Sequence, residues 1–214
     1  MSAPIAFASR LGAASFVLLV SGPLLAQLGV VEPSAGYSLS SMSGIASALG
    51  SGIGLVALAK RDRPARRRGW IGVVLAFVTS LTTIVYGQIG QRAEHWEAAT
   101  STEDPVAFAA HEVGALGPAD LVAPRRIDAP PDAAFARVRN AAEELGWSIV
   151  HEADRHFEAE VTRGVFLFRH DVAVQVRVTT SSVTEIHARS RSRWAHPDRG
   201  ANAALLEALF EAVD

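Results

Sequence analysis

Between two long apolar runs the chain carries Lys60-Arg61-Asp62-Arg63-Pro64-Ala65-Arg66-Arg67-Arg68, six cations in nine residues. Moving such a cluster across a bilayer is costly, so basic residues beside membrane-spanning ends stay on the cytoplasmic side. The stretch therefore sets which way its neighbours face. Leu11–Val31 is 21 residues without a charge, and about 20 apolar residues cross a hydrocarbon core as a helix. A second run extends from about Tyr37 to Ala59, and a third, rich in Val, Leu, Ile and Phe, from Trp70 to Gly90. The pattern predicts three transmembrane helices, about 11–31, 37–59 and 70–90, joined by a cytoplasmic basic loop at 60–68. The first helix starts inside, in agreement with Arg10, and everything after Gly90 lies outside.

The first run admits another reading, a signal peptide with Arg10 as the basic start, Leu11–Leu25 as the apolar core and cleavage after Ala26. The run is long for that, and Leu24 is not the small residue expected two positions before the cut, so a retained helix is favoured. Orientation is unchanged either way, because the loop alone orients the second and third runs. In the second run Ser40, Gly44, Ala48 and Gly52 recur every four residues, as do Ala46, Gly50 and Gly54. Small residues at that spacing let another helix backbone come close, and packing within the chain is expected. No ionisable residue lies inside the three runs, which argues against a transporter or pump, since those use intramembrane charge.

Charge divides unevenly. Residues 1–90 hold seven cations against two acids, residues 91–214 thirteen cations against twenty acids. An acidic soluble half argues against nucleic acid as a partner. There is no cysteine, which excludes disulfides, thiolate metal sites and cysteine nucleophiles. Every cation but Lys60 is arginine and alanine is abundant; this reads as coding bias and weakens any single arginine as a mark of function.

Residues 91–126 are polar and irregular and read as a linker leading into an extended arm. A domain at 127–214 follows. Ala134, Phe135, Val138, Ala141, Ala142 and Leu145 recur at helical spacing over Asp132–Leu145, and Gly146 stops the helix. Trp147–Glu152 and His156–Thr162 alternate as strands around an Ala153-Asp154-Arg155 turn. Val165–Thr180 is a long strand with its even-numbered valines on one face, and His170-Asp171 suggests a bulge or bend. In Val183–Arg193, Ile186, Ala188, Ser190 and Ser192 share one face and His187, Arg189, Arg191 and Arg193 the other. Gly200–Val213 is an amphipathic helix. The expected class is α+β: a three-helix transmembrane segment, then a small antiparallel-sheet domain with flanking helices.

Arg189-Ser190-Arg191-Ser192-Arg193 through Asp198-Arg199-Gly200-Ala201-Asn202 resembles an uncharacterised bacterial family, domain of unknown function 1499. Phe166-Leu167-Phe168-Arg169-His170-Asp171-Val172 is similar to its aromatic strand, and Thr102-Glu103-Asp104-Pro105-Val106-Ala107-Phe108 to its arm. The resemblance covers about residues 100–213. The chain departs at His170, where the first of paired aspartates is usual, at Pro197 for glycine and at Arg199 for leucine. The first departure counts against a metal site built on two carboxylates. The resemblance implies a fold and a membrane-proximal location, and no reaction.

Seven histidines lie in the soluble half, none at metal-ligand spacing on one helix, and no glycine loop cradles phosphate. No cofactor and no metal is expected. A hydrolase would need a site near His170, Asp171, Ser190 and Asp198, with Ser192 as the other serine; neither serine has the glycines of a nucleophile elbow. The favoured expectation is a membrane-anchored protein of the bacterial inner membrane. Its extracytoplasmic domain holds an envelope protein or an anionic envelope component, beside the lipid bilayer itself. Three adjacent arginines repel unless carboxylates or an anion lie among them, and Asp171, Glu158 and Glu160 are available from neighbouring strands. The candidate binding residues are Asp171, Arg189, Arg191, Arg193, Asp198 and Asn202. In the structural alternative Asp198 or Asn202 caps the last helix or loop, and Asp171 pairs with an arginine.

Overall fold

The computed structural model describes residues 3–59, 74, 76–82, 95–110, 116–193 and 200–213. The chain forms two compact units, Met1–Ile89 with Gly164–Leu167, and Gly90–Arg163 with Phe168–Asp214.

The first unit is built on a helical hairpin, α1 (Ala3–Gln27) and α2 (Pro33–Ala59). Gly29 turns the chain between them at φ 68°. Pro33 opens α2, where its fixed φ suits the first turn and its missing N–H is no loss. Glycines close the hairpin: a Cβ on Gly22 would lie 2.3 Å from Gly36 O, and one on Gly36 2.6 Å from Gly22 O. Ser40 Oγ donates across to Leu19 O at 3.1 Å, and Ser47 Oγ meets Ser80 Oγ of the helical stretch 76–82 at 2.9 Å. The packing face thus runs through Gly36, Ser40, Ser43, Ser47 and Gly50. Gly50 sits against Leu11, 3.5 Å from where its Cβ would be, whereas a Cβ on Gly52 would meet nothing within 4 Å. The surroundings of Gly54 fall outside the described residues. Burial here is inverted: Ser15, Ser40, Ser43 and Ser47 are buried, while Val17 (62% exposed), Leu24, Ile45 (71%), Leu49 and Phe77 face outward.

Of the three expected transmembrane helices, one qualifies among the described residues. Among the described residues one helix, Ala6–Gln27, is long and apolar enough to cross a membrane, and by length and composition it fits a span or a signal sequence. α2 has the length, but serine and glycine interrupt its apolar residues. The third run is described only at 74 and 76–82, and the basic loop lies outside the described residues.

The second unit is α+β. In chain order it holds β1 (Glu97–Ala99), β2 (Ala119–Leu121), β3 (Arg125–Ile127), α3 (Pro131–Glu144), β4 (Ser148–Ala153), β5 (His156–Arg163), β6 (Phe168–Thr180), β7 (Val183–Ser192) and α4 (Ala201–Ala212). α3 ends in a Schellman turn, with Gly146 at φ 76° and Trp147 N–H donating to Ala142 O at 2.9 Å. The strands form one sheet in the order β2-β1-β7-β6-β5-β4, with β3 also on β7. It is mixed rather than antiparallel, because β1 and β2 run parallel. The long connection between them crosses over instead of folding back as a hairpin. These three short strands fall in the stretch expected to be an irregular linker and arm, residues 91–126, with β3 ending one residue beyond it.

Strand alternation sorts the two faces. Phe157, Ala159, Val172, Val174, Val176, Ile186 and Ala188 join Val138, Leu205, Leu206 and Leu209 in one apolar core on the helical side. His170 keeps that alternation and pairs in register with Val161 and Ser192. The bulge expected at His170-Asp171 is therefore absent; polarity changes there, not register. The shift between β6 and β7 falls at Val178/Thr180.

Candidate functional site

β7 carries the site, with a different set of partners on each side. Cross-strand pairing lines up Glu160 with Asp171, Asp171 with Arg191, and Arg191 with Glu97. This row lies on the side away from the core. Glu97 is 1% exposed and Arg189 3%. Arg189 donates to Glu97 Oε2 through Nη2 at 2.9 Å and Nε at 3.2 Å. Arg191 Nε reaches Glu97 Oε1 at 3.3 Å. Arg193 binds Asp171 through Nε at 3.0 Å and Nη2 at 2.7 Å, and also meets Glu160. The Asp171 hydrogen bond, with Glu160 beside it, raises the Arg193 pKa further against the opposing effect of burial. Three guanidiniums thus stand among three carboxylates, which removes the repulsion a bare arginine strand face would carry.

The arm closes over this side. The Phe108 ring lies 5.3 Å from the Arg189 guanidinium carbon, a cation–π distance. Glu158, also 1% exposed, accepts from the amides of Ala109 and Ala110 and meets His156 at 3.2 Å. Burial pushes the Glu158 carboxyl up, but the two amides and His156 outweigh it and hold the pKa below the usual range. Thr100 Oγ1 pairs with His187 Nδ1 at 3.2 Å. Burial, then the charge of Arg177, lowers the His187 pKa against the pull of Glu185.

On the core side, Ser190, Ser192, His170 and Asn202 form a buried network. Asn202 Oδ1 accepts from Ser190 Oγ at 2.6 Å and faces His170 Nδ1 at 2.9 Å. Asn202 Nδ2 donates to Trp96 O at 2.6 Å and to Ser192 Oγ at 3.1 Å. Ser192 Oγ lies 3.1 Å from His170 Nδ1. An amide oxygen only accepts, so His170 Nδ1 must carry the proton. It is then no base toward Ser192. The N-cap position of α4 is Gly200, at φ 78°, and not Asn202. Asn202 ties α4 to β7 and to the backbone before β1.

The candidate binding residues are thus divided. Asp171, Arg189, Arg191 and Arg193 share one side of the sheet, and Asn202 lies on the other. Asp198 falls outside the described residues. Of the hydrolase set, His170 and the two serines meet, but Asp171 points to the opposite side. Among the described residues no group of three or more His, Asp or Glu is placed to hold a metal. Glu97 was the partner that pattern reasoning missed. It lies in three strand residues, 92 positions before Arg189, and the one available signal was the demand of three arginines for nearby carboxylates.

A family model described as protein of unknown function (DUF1499) matches residues 97–213, from Glu97 through the end of α4. No curated protein matches the chain.

Proposed function

The chain belongs to the DUF1499 family, and on that footing we propose that it is a membrane-anchored protein that presents its α+β domain as a binding or scaffold module on the extracytoplasmic side of a bacterial inner membrane. The inverted burial of the first unit carries the anchoring. Outward Val17, Leu24, Ile45, Leu49 and Phe77 over inward serines suit a hydrocarbon solvent. There helices associate through small residues and hydrogen bonds rather than through hydrophobic burial. On this proposal α1, α2 and the 70–90 run lie in the bilayer, with the basic loop 60–68 in the cytoplasm and residues 91–214 outside.

Binding is favoured over hydrolysis because the Ser192–His170 contact is buried and its imidazole nitrogen is committed to Asn202. The partner-facing groups are the partly exposed Arg191 and Arg193. Arg189, Asp171 and Asn202 hold that strand in place, and Asp198 stands three residues before α4 in the sequence. These suit an anionic envelope component or an acidic segment of an envelope protein. Reporter fusions after Asp214 test the orientation: an alkaline phosphatase fusion should be active and a green fluorescent protein fusion dark, and the reverse pattern overturns it. Arg191→Ala tests the binding half, since Glu97 keeps Arg189. Cross-linking of the full chain to its membrane neighbours should weaken while the fold persists; an unchanged cross-linking pattern sinks the binding assignment.

A further inference from the structure

Gly164–Leu167 links β5 to β6 in sequence and belongs to the first unit. Turns ordinarily use Gly, Asn, Asp or Ser, but this one reads Gly164-Val165-Phe166-Leu167. Phe166 is buried and meets Tyr37 edge-on, ring centroids 5.5 Å apart, whereas Val165 and Leu167 are exposed. Leu167 holds φ 58°, a region bulky side chains rarely adopt. Glycine would sit there without strain, so the apolar side chain is kept at a cost. Three of the tip's backbone polar groups find partners within the unit. Leu167 N–H donates to Gly164 O at 3.1 Å, and Gln27 Nε2 donates to Val165 O at 3.2 Å. The α1–α2 turn has the same character. Leu28 and Val30 are exposed, while their N–H groups donate to Leu24 O and Leu25 O. Outward apolar side chains over internally bonded backbone groups are what lipid demands and water does not. In sequence the tip is flanked by Arg163 and Arg169, a residue type that can keep its charged head in water or at a headgroup while its stem covers apolar surface.

We propose that the Gly164–Leu167 tip is a bilayer contact, with Val165 and Leu167 entering the headgroup–acyl boundary beside Leu28 and Val30. This rests on the anchoring proposed above. The chain holds no cysteine, so single cysteines can be labelled cleanly in the full-length protein. Val165→Cys and Leu167→Cys carry the environment-sensitive fluorophore NBD, with Val17→Cys as the lipid reference and Ser182→Cys, in the β6–β7 turn, as the water reference. In phosphatidylcholine–phosphatidylglycerol vesicles the labels at 165 and 167 should emit to the blue of the Ser182 label, and spin-labelled lipid should quench them severalfold more. Labels at 165 and 167 that behave like the one at Ser182, while the Val17 label reads lipid, overturn the tip contact and leave the anchor standing. A Val17 label that reads water overturns both. Hydroxyl-radical footprinting of the unlabelled chain in the same vesicles gives an independent reading. Val165 and Leu167 should be protected, and oxidation at the level of detergent-free solvent-exposed turns contradicts the proposal.

Discussion

The two units bury opposite kinds of residue. In the second, Phe157, Ile186, Leu205, Leu206 and Leu209 are fully buried, and removing that surface from water drives folding. In the first, serines and glycines fill the interior while valine, leucine and isoleucine look outward. The second unit also buries charge beside partners: Glu97 with Arg189, and Glu158 with two amides and His156. Among the described residues the first unit has only Arg10 and Glu32 as charged side chains. One chain thus contains two solutions to packing, each suited to a different solvent, and the same kind of substitution should act differently in each.

The sharpest break of this contrast is Glu97→Ala in the full-length protein. It leaves Arg189 buried without its carboxylate, and losing one member of a buried pair costs about 3–5 kcal/mol. Chemical denaturation followed by hydrogen exchange in β6 and β7 should show that loss in the second unit. An unchanged unfolding midpoint would mean that Glu97 is no structural anchor. Asn202→Ala comes next, at about 1–3 kcal/mol, because it takes the acceptor from the buried Ser190 hydroxyl and leaves Trp96 O with the Ser192 N–H as donor. Retention of the wild-type midpoint would contradict the network.

In the first unit the sensitive positions are the glycines. Gly22→Val forces a side chain into Gly36 O and Ser40 and should cost about 1–3 kcal/mol by overpacking, seen as a lower melting temperature in detergent. Gly52→Ala meets open space and should leave it unchanged. Equal effects at the two positions would break the assignment of the packing face.

The smallest effect is that of pH, and it sharpens the comparison because the groups involved lie in the second unit. The His187 pKa is lowered by burial, so its contribution is present above the ordinary value of 6.5 and fades as pH falls through that value toward its folded one. The Glu158 pKa is lowered as well, so its contribution is present above 4.5 and is lost as pH drops below that toward its folded value. Melting temperature should decline in these two steps on acidification, and Glu158→Gln should remove the lower one. A profile that rises on acidification contradicts both signs.

Much of the second unit was legible because alternation is local. The even-numbered valines of β6 and the arginine–serine alternation of β7 assigned each side chain to its face before any partner was known. The pairing of Asp171 with an arginine followed from the same pattern. What escaped was non-local. β1, β2 and β3 are three residues each, too short for any period, and they are strands through pairing with β7 or with each other. His170-Asp171 looked like a bulge because a polar pair interrupted an apolar run; the interruption marks the buried Ser190–Ser192–Asn202 network instead. In the first unit composition identified the apolar runs. Which small residues face inward depends on the crossing of Gly22 with Gly36, and a four-residue repeat selects only part of that face.

Alkaline carbonate extraction of membranes from cells making the full chain, followed by the intact mass of the recovered protein, tests the anchoring most directly. An anchored chain stays in the membrane pellet and retains the α1 segment through Ala26. A chain released into the supernatant, or one beginning at Gln27, would contradict the anchoring.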